Sequence, residues 1–185
     1  MLKKIFSVYW LPSYFAILLS GLAWIWFSAA PESGTTNGFI PAPRQGFLAP
    51  EFALYSNQQE LVNFGDLKGK PVIINFWASW CPPCRAEMPA IEKVSQDYSQ
   101  KGLVILAVNA TNQDDLQDIQ AFVQELDLSF PILFDELGSV NQLYQVSALP
   151  TTFFINAEGF IQDVVIGGPM SEALLRARVE QILKD

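Results

Sequence analysis

The stretch Asn75–Pro89 reads NFWASWCPPCRAEMP and holds both cysteines of the 185-residue chain, Cys81 and Cys84, with two prolines between them. Just before it, Pro71–Ala78 (PVIINFWA) is rich in β-branched and aromatic residues and predicts a buried strand. Beyond the cysteines, Met88, Ile91 and Val94 fall on one side of a helix expected from about Pro82 to Tyr98. Two thiols where a buried strand meets a helix start narrow the chemistry. A Cys81–Cys84 bridge closes a loop of about four residues, for which loop entropy contributes only roughly 2 kcal/mol, so a purely structural crosslink explains little. Structural zinc needs four ligands, and this chain offers two thiols and no histidine. Covalent haem attachment needs a histidine after the second cysteine, where Arg85 stands. A peroxide-reducing thiol expects a threonine three residues upstream, where Ala78 stands. What remains is thiol–disulfide exchange, with no metal and no cofactor.

The spacing suits that chemistry. Exchange needs one thiolate to attack a substrate sulfur and a second thiol close enough to resolve the mixed disulfide. At a helix start, the first thiol sits at an exposed tip among unpaired N–H groups, which favour an anion. The second falls one turn further in. Pro82 and Pro83 fit the first turn, where their missing donors are not needed. Cys81 is thus the expected attacker and Cys84 the resolver.

Outward from this motif, strands and helices alternate. Phe52–Leu54 and Glu60–Asn63 predict a short hairpin closed at Ser56-Asn57, followed by a turn over Asp66–Lys70. Leu103–Asn109 predicts a second buried strand, and Asp114–Leu126 an amphipathic helix with Leu116, Ile119, Phe122, Val123 and Leu126 at helical spacing. Phe130–Phe134 is a candidate strand and Ser139–Tyr144 a short helix. Thr151–Ile155 and Phe160–Ile166 predict a hairpin around Asn156–Gly159, and Ser171 caps a last helix to Leu183. The order indicates an α/β fold whose mixed central sheet is flanked by helices.

The N-terminal part differs in kind. From Ile5 to Ala30 there is no charged residue, and about 20 such residues suffice to cross a bilayer as a helix. Lys3 and Lys4 precede the run and no Lys or Arg follows until Arg44, which puts the N-terminus in the cytoplasm and the rest outside. Residues 1–30 are read as a membrane anchor; the competing reading is a signal peptide cleaved near Ser28-Ala29-Ala30. Residues 31–50, with four prolines and three glycines, read as a linker, and residues 51–185 as the folded domain. Beyond Ala30 the chain has 19 acidic and nine basic residues, a net charge of −10. That balance argues against nucleic acid as a partner.

With these residues in place a resemblance emerges. FWASWCPPC after a buried strand, Pro89 five residues past Cys84, and Leu149-Pro150-Thr151-Thr152-Phe153 before a hairpin resemble a thioredoxin-like protein from about Ala49 onward. The chain is similar to the membrane-anchored TlpA/ResA/DsbE group of extracytoplasmic thiol–disulfide oxidoreductases. Three features point there: the N-terminal hydrophobic run, an inserted helix–strand segment within Gln113–Phe134, and a relocated acidic group. Thioredoxins carry an aspartate at the strand position that is Asn75 here, and asparagine takes no proton. Glu87, three residues after Cys84, matches the glutamate of ResA-like members.

The resemblance implies roles. Glu87 is expected to be buried behind Cys84 as its proton acceptor, against the plain alternative of a solvated helix glutamate. Trp80, Pro82, Pro83, Leu149 and Pro150 are expected to contact substrate, with a cis Leu149–Pro150 bond and Leu149 backbone pairing with an incoming peptide. Trp77 is read as core, Trp80 as rim, Pro89 as a helix kink, and Asn75 as a polar core residue with its own partners. The implied task is keeping exported thiols reduced, among them the CxxCH thiols of apocytochrome c, with electrons from a membrane donor. The implied location is the bacterial cytoplasmic membrane, single-pass, with the thioredoxin-like domain outside. A general extracytoplasmic disulfide reductase or oxidase is the alternative. From a different class, so is a non-catalytic binding module on the same fold, which insulin reduction would separate from an enzyme.

Overall fold

Alternation along one strand sets the two faces of the sheet. In β3 (Val72–Trp77) every residue is buried, with Val72, Ile74 and Phe76 in one core and Ile73 and Trp77 in the other. Successive side chains of a strand point to opposite faces, so a strand covered on both sides is apolar throughout. Asn75, the single polar residue in β3, therefore shares the face of Ile73 and Trp77.

The computed structural model describes residues 40–184 and, before them, Leu19 alone. The proposed anchor or signal peptide over residues 1–30 and the linker up to residue 39 lie outside the described residues. Among the described residues, no helix is long and apolar enough to cross a membrane.

Strands β1 (Ala53–Tyr55) and β2 (Leu61–Asn63) pair antiparallel as the N-terminal hairpin. β4 (Val104–Asn109), β5 (Ile132–Phe134), β6 (Thr151–Ile155) and β7 (Ile161–Ile166) join β3 in a five-stranded sheet of order β5-β4-β3-β6-β7. β3, β4 and β5 run parallel, whereas β6 is antiparallel to both β3 and β7, so the sheet is mixed. Helices α1 (Pro82–Tyr98), α2 (Leu116–Glu125) and α4 (Glu172–Ile182) pack on the Trp77 face; Tyr144, after α3 (Ser139–Leu143), packs with Phe52 and Phe64 on the other. Met88, Ile91 and Val94 of α1 are fully buried, and each such side chain contributes about 1.5–3 kcal/mol.

Two expectations are corrected. Residues 46–50, read as linker, belong with the domain: Gly46 and Ala49 donate to the carbonyls of Ile161 and Gly159, and the Pro50 carbonyl accepts from the buried Tyr144 hydroxyl. Gly46 to Ala49 thus run antiparallel to the start of β7, with Leu48 bridging Phe160 and Phe47 accepting from Ile161. The helix expected from Asp114 begins at Leu116, capped by Asp115, and Leu116 itself is exposed. Asp114 is drawn elsewhere.

Candidate active site

Helix α1 starts at the cysteines. Cys81 is its N-cap in extended conformation, Pro82 and Pro83 fill the first turn, and Cys81 Sγ accepts the Cys84 N–H at 3.2 Å. The two cysteines form a disulfide with Cα atoms 5.3 Å apart. Cys81 retains 3 % of its surface and Cys84 none. The exposed tip expected for Cys81 is thus largely closed: in the disulfide its sulfur is turned back toward Cys84 and packs in the core below α1. The helix runs through Pro89, whose missing N–H leaves the Arg85 carbonyl without its usual donor.

A polar brace holds the turn that leads into the cysteines. Asp114 accepts from the Ser79 N–H at 2.7 Å, from the Ser79 hydroxyl, and from Asn109 Nδ2 at 2.8 Å. Trp80 is 56 % exposed, and its Nε1–H is held at 2.8 Å by the Gln113 carbonyl. Trp80, Gln113, Asn141, Val146 and Leu149 line an open groove of about 330 Å³ that contains no charged side chain. Pro82 is exposed, Pro83 and Leu149 are half-buried, and Pro150 is buried. The Leu149–Pro150 bond is cis, and Leu149 packs on the cluster that holds both cysteines.

Glu87 is fully buried. Its Oε1 accepts from Asn75 Nδ2 at 2.9 Å, and its Oε2 accepts from the Met170 backbone N–H at 3.0 Å. Burial pushes its carboxyl above the ordinary carboxylate range, and the Met170 and Asn75 hydrogen bonds pull it part of the way back. Residues three apart on a helix have Cβ atoms about 5–6 Å apart, which sets Glu87 one turn behind Cys84. The chain folds this way because β3 presents Asn75 to α1, and the β3–β6 register sets Asn75 opposite Thr152.

Most of the expected residues thus meet at one end of the sheet. The sequence reading missed the groups that tie them together: Thr152, the Met170 backbone, Gly168 and Asp114. It also gave Asn75 partners of its own without pairing it with Glu87, although period-two alternation already puts Asn75 on the face beneath α1. A Cβ on Gly168 would lie 2.7 Å from Pro150 Cγ and 2.8 Å from Glu87 Oε2, so the carboxyl and the proline ring flank one glycine. Among the described residues no group of three or more acidic or thiol side chains is arranged to hold a metal.

The chain is similar to several known proteins. The chain is 43 % identical over 125 residues to the thioredoxin-like protein YneN of Bacillus subtilis, covering 67 % of this chain and 72 % of that one. It is 40 % identical over 146 residues to the thiol-disulfide oxidoreductase ResA of Oceanobacillus iheyensis, covering 77 % and 72 % respectively. Its fold matches a Chlorobium tepidum structure described as a thiol:disulfide interchange protein, DsbE, with a TM-score of 0.70 and 31 % identity over 76 % of this chain and 98 % of that one. Residues 46–164 match the AhpC/TSA family. The chain therefore belongs to the AhpC/TSA family, as a thioredoxin-like thiol–disulfide oxidoreductase.

Proposed function

We propose that this chain reduces disulfides of exported proteins from the outer face of a bacterial cytoplasmic membrane, with apocytochrome c among its substrates. Reduced Cys81, as thiolate, attacks one sulfur of a substrate disulfide; that S–S bond breaks, a mixed disulfide forms, and the released substrate thiolate takes a proton. Cys84 then gives its proton to Glu87 and attacks the Cys81 sulfur. The Cys81–Cys84 disulfide forms, the second substrate thiolate leaves and is protonated, and the substrate has gained two electrons. A dithiol donor at the membrane returns the pair to the reduced state.

The observation that carries this reading is the buried Glu87 carboxyl, one turn past Cys84, whose affinity for a proton desolvation raises. The exposed Trp80 and the uncharged groove that runs to Leu149 support a peptide substrate laid beside the disulfide. Direction, substrate and donor follow the TlpA/ResA/DsbE resemblance, and the uncharged run Ile5–Ala30 supports the location.

Trapping tests it. Cys84→Ser in the full chain should arrest exchange with Cys81 bonded to its partner, and mass spectrometry should find an exported CxxCH protein there. Partners that are all cytoplasmic, or no trapped species beside a parent that reduces insulin poorly, would overturn the proposal.

A further inference from the structure

Asp135 follows β5 directly and is fully buried. Its Oδ2 accepts from the Asn141 backbone N–H and from Asn141 Nδ2, each at 2.8 Å, and its Oδ1 accepts from the Ser139 hydroxyl at 3.4 Å. A carboxylate only accepts, so it fixes which way round the Asn141 amide lies: the nitrogen turns inward to Asp135 and the oxygen is left outward. Asn141 is half-buried and lines the groove beside Trp80 and Leu149. Among the described residues its Oδ1 accepts no hydrogen bond, so this oxygen is the acceptor that Asn141 has left for the groove. The position is held firmly. The Asn141 carbonyl accepts from the Val146 N–H, and a Cβ on Gly138 would lie 2.6 Å from Asn112 Nδ2, so the segments carrying Asn141, Val146 and Gln113 pack as one wall.

The charge around this wall has one sign. Between Lys101 and Arg176 the chain has ten acidic residues and no Lys or Arg, and every groove residue except Trp80 comes from that stretch. Asp135 lies behind Asn141, and Asp114 behind the turn at Ser79 that leads into Trp80. Arg85, next to Cys84, is paired with Glu125 at 2.7 Å. A guest bearing an N–H donor gains a hydrogen bond at Asn141 Oδ1, and a cationic guest gains the field of the carboxylates behind it as well. A guest carboxylate meets an acceptor and like charge. We infer that Asn141, held by Asp135, is a specificity-determining residue of the exchange reaction: it accepts a hydrogen bond from a lysine or arginine side chain beside the substrate's disulfide. The inference rests on the reading of the groove as the bed of a substrate peptide, and it names the class of peptide. Its effect is on binding, and no covalent step runs through Asn141.

The test uses the full chain, reduced and held in detergent micelles, with peptides that carry an internal disulfide. One variable residue, Lys, Leu or Glu, is placed in turn at each position flanking the disulfide, and the rate constant for reduction is read in a single turnover. At one flanking position the Lys peptide should be reduced about fivefold to tenfold faster than the Leu peptide, the lower end for a hydrogen bond that joins a charged group, and the Glu peptide more slowly than both. Asn141→Leu should bring the Lys-to-Leu ratio to about one; because the ratio is taken within one protein, any general loss of exchange activity cancels. In the parent the ratio should persist as salt is raised from about 0.05 to 0.5 M, since a bond at contact is screened far less than a diffuse field. Equal rates for Lys and Leu peptides at every position would overturn the inference and leave the exchange reading standing. Failure to reduce any of the peptides would overturn both. A preference that survives in folded Asn141→Leu, or that fades with salt in the parent, would assign the selection to diffuse charge and overturn the role of Asn141. The salt series decides the matter where the variant does not fold.

Discussion

Cys81 and Cys84 share one helical turn, yet the backbone treats them differently. Cys81 is the N-cap, at the end where unpaired N–H groups favour an anion, whereas Cys84 lies inside the helix and is fully enclosed. Alkylation of the reduced protein near pH 7 should therefore label Cys81 well ahead of Cys84; preferential labelling of Cys84 would reverse their roles. For Glu87, replacement by Gln should keep the fold and the disulfide, slow exchange and flatten its pH dependence between pH 5 and 9. Identical rates across that range would reduce Glu87 to a packing residue. The same substitution has a stability signature. Burial raises the folded-state pKa of Glu87, so its contribution is fully present below the ordinary carboxylate range and is lost as pH rises through the folded value. Urea midpoints of the oxidised forms should thus shift in favour of Glu87→Gln as the pH goes from 4 to 8. A parent that gains on the variant over that interval would contradict the assigned shift.

Between elements, the site is held by two segments whose polar contacts hydrophobic patterning does not register. The segment before α4 brings Gly168 between Pro150 and the Glu87 carboxyl, and the ring cannot yield as a flexible chain would. Gly168→Ala should cost about 1–3 kcal/mol of stability, as overpacking does, and slow exchange by displacing Glu87. A variant with parental stability and rate would show that the loop gives way freely. On the other side, Asp114 gathers the Ser79 N–H, the Ser79 hydroxyl and Asn109 Nδ2. Hydrogen bonds to a charged group contribute about 1.5–3 kcal/mol each, and some of that is recovered by water at this half-buried site. Asp114→Ala should lower stability by roughly 2–3 kcal/mol in urea unfolding and loosen the turn before Cys81. Helical spacing drew Asp114 into α2 on paper because periodicity registers the apolar positions that follow. A carboxylate serving a turn 35 residues earlier has no periodic signal.

For the molecule as a whole, stability resides in two apolar layers, one on each face of β3, rather than in the disulfide. The Trp77 face carries α1, α2 and α4; the Phe76 face carries Phe52, Phe64, Tyr144 and Phe153 in a set of edge-on and stacked rings. Because the bridge joins residues three apart, reduction should lower unfolding free energy by only about 2 kcal/mol, read as the difference in urea unfolding between oxidised and reduced chains. Loss of the fold on reduction would mean that the bridge is structural. Among the described residues Glu87, Glu92 and Asp135 are buried, whereas the ion pairs of Glu172 with Lys93 and Arg176 are solvent-accessible and contribute little each.

Read alone, the sequence determined the exchange chemistry, since two thiols at a strand–helix junction and no histidine leave little else. It also determined the strand and helix order, because hydrophobic period is a local property: α1 spans the expected Pro82–Tyr98, and Ser171 caps α4 through the Leu174 N–H. What needed the tertiary structure was every pairing between polar groups far apart in the chain. Asn75 meets Thr152 across 77 residues, and Glu87 meets the Met170 N–H across 83. Such contacts depend on strand register and loop path, which side-chain identity does not encode locally. The burial of Cys81 is of the same kind, since the core cluster it joins includes Leu149 and Met170 from far along the chain.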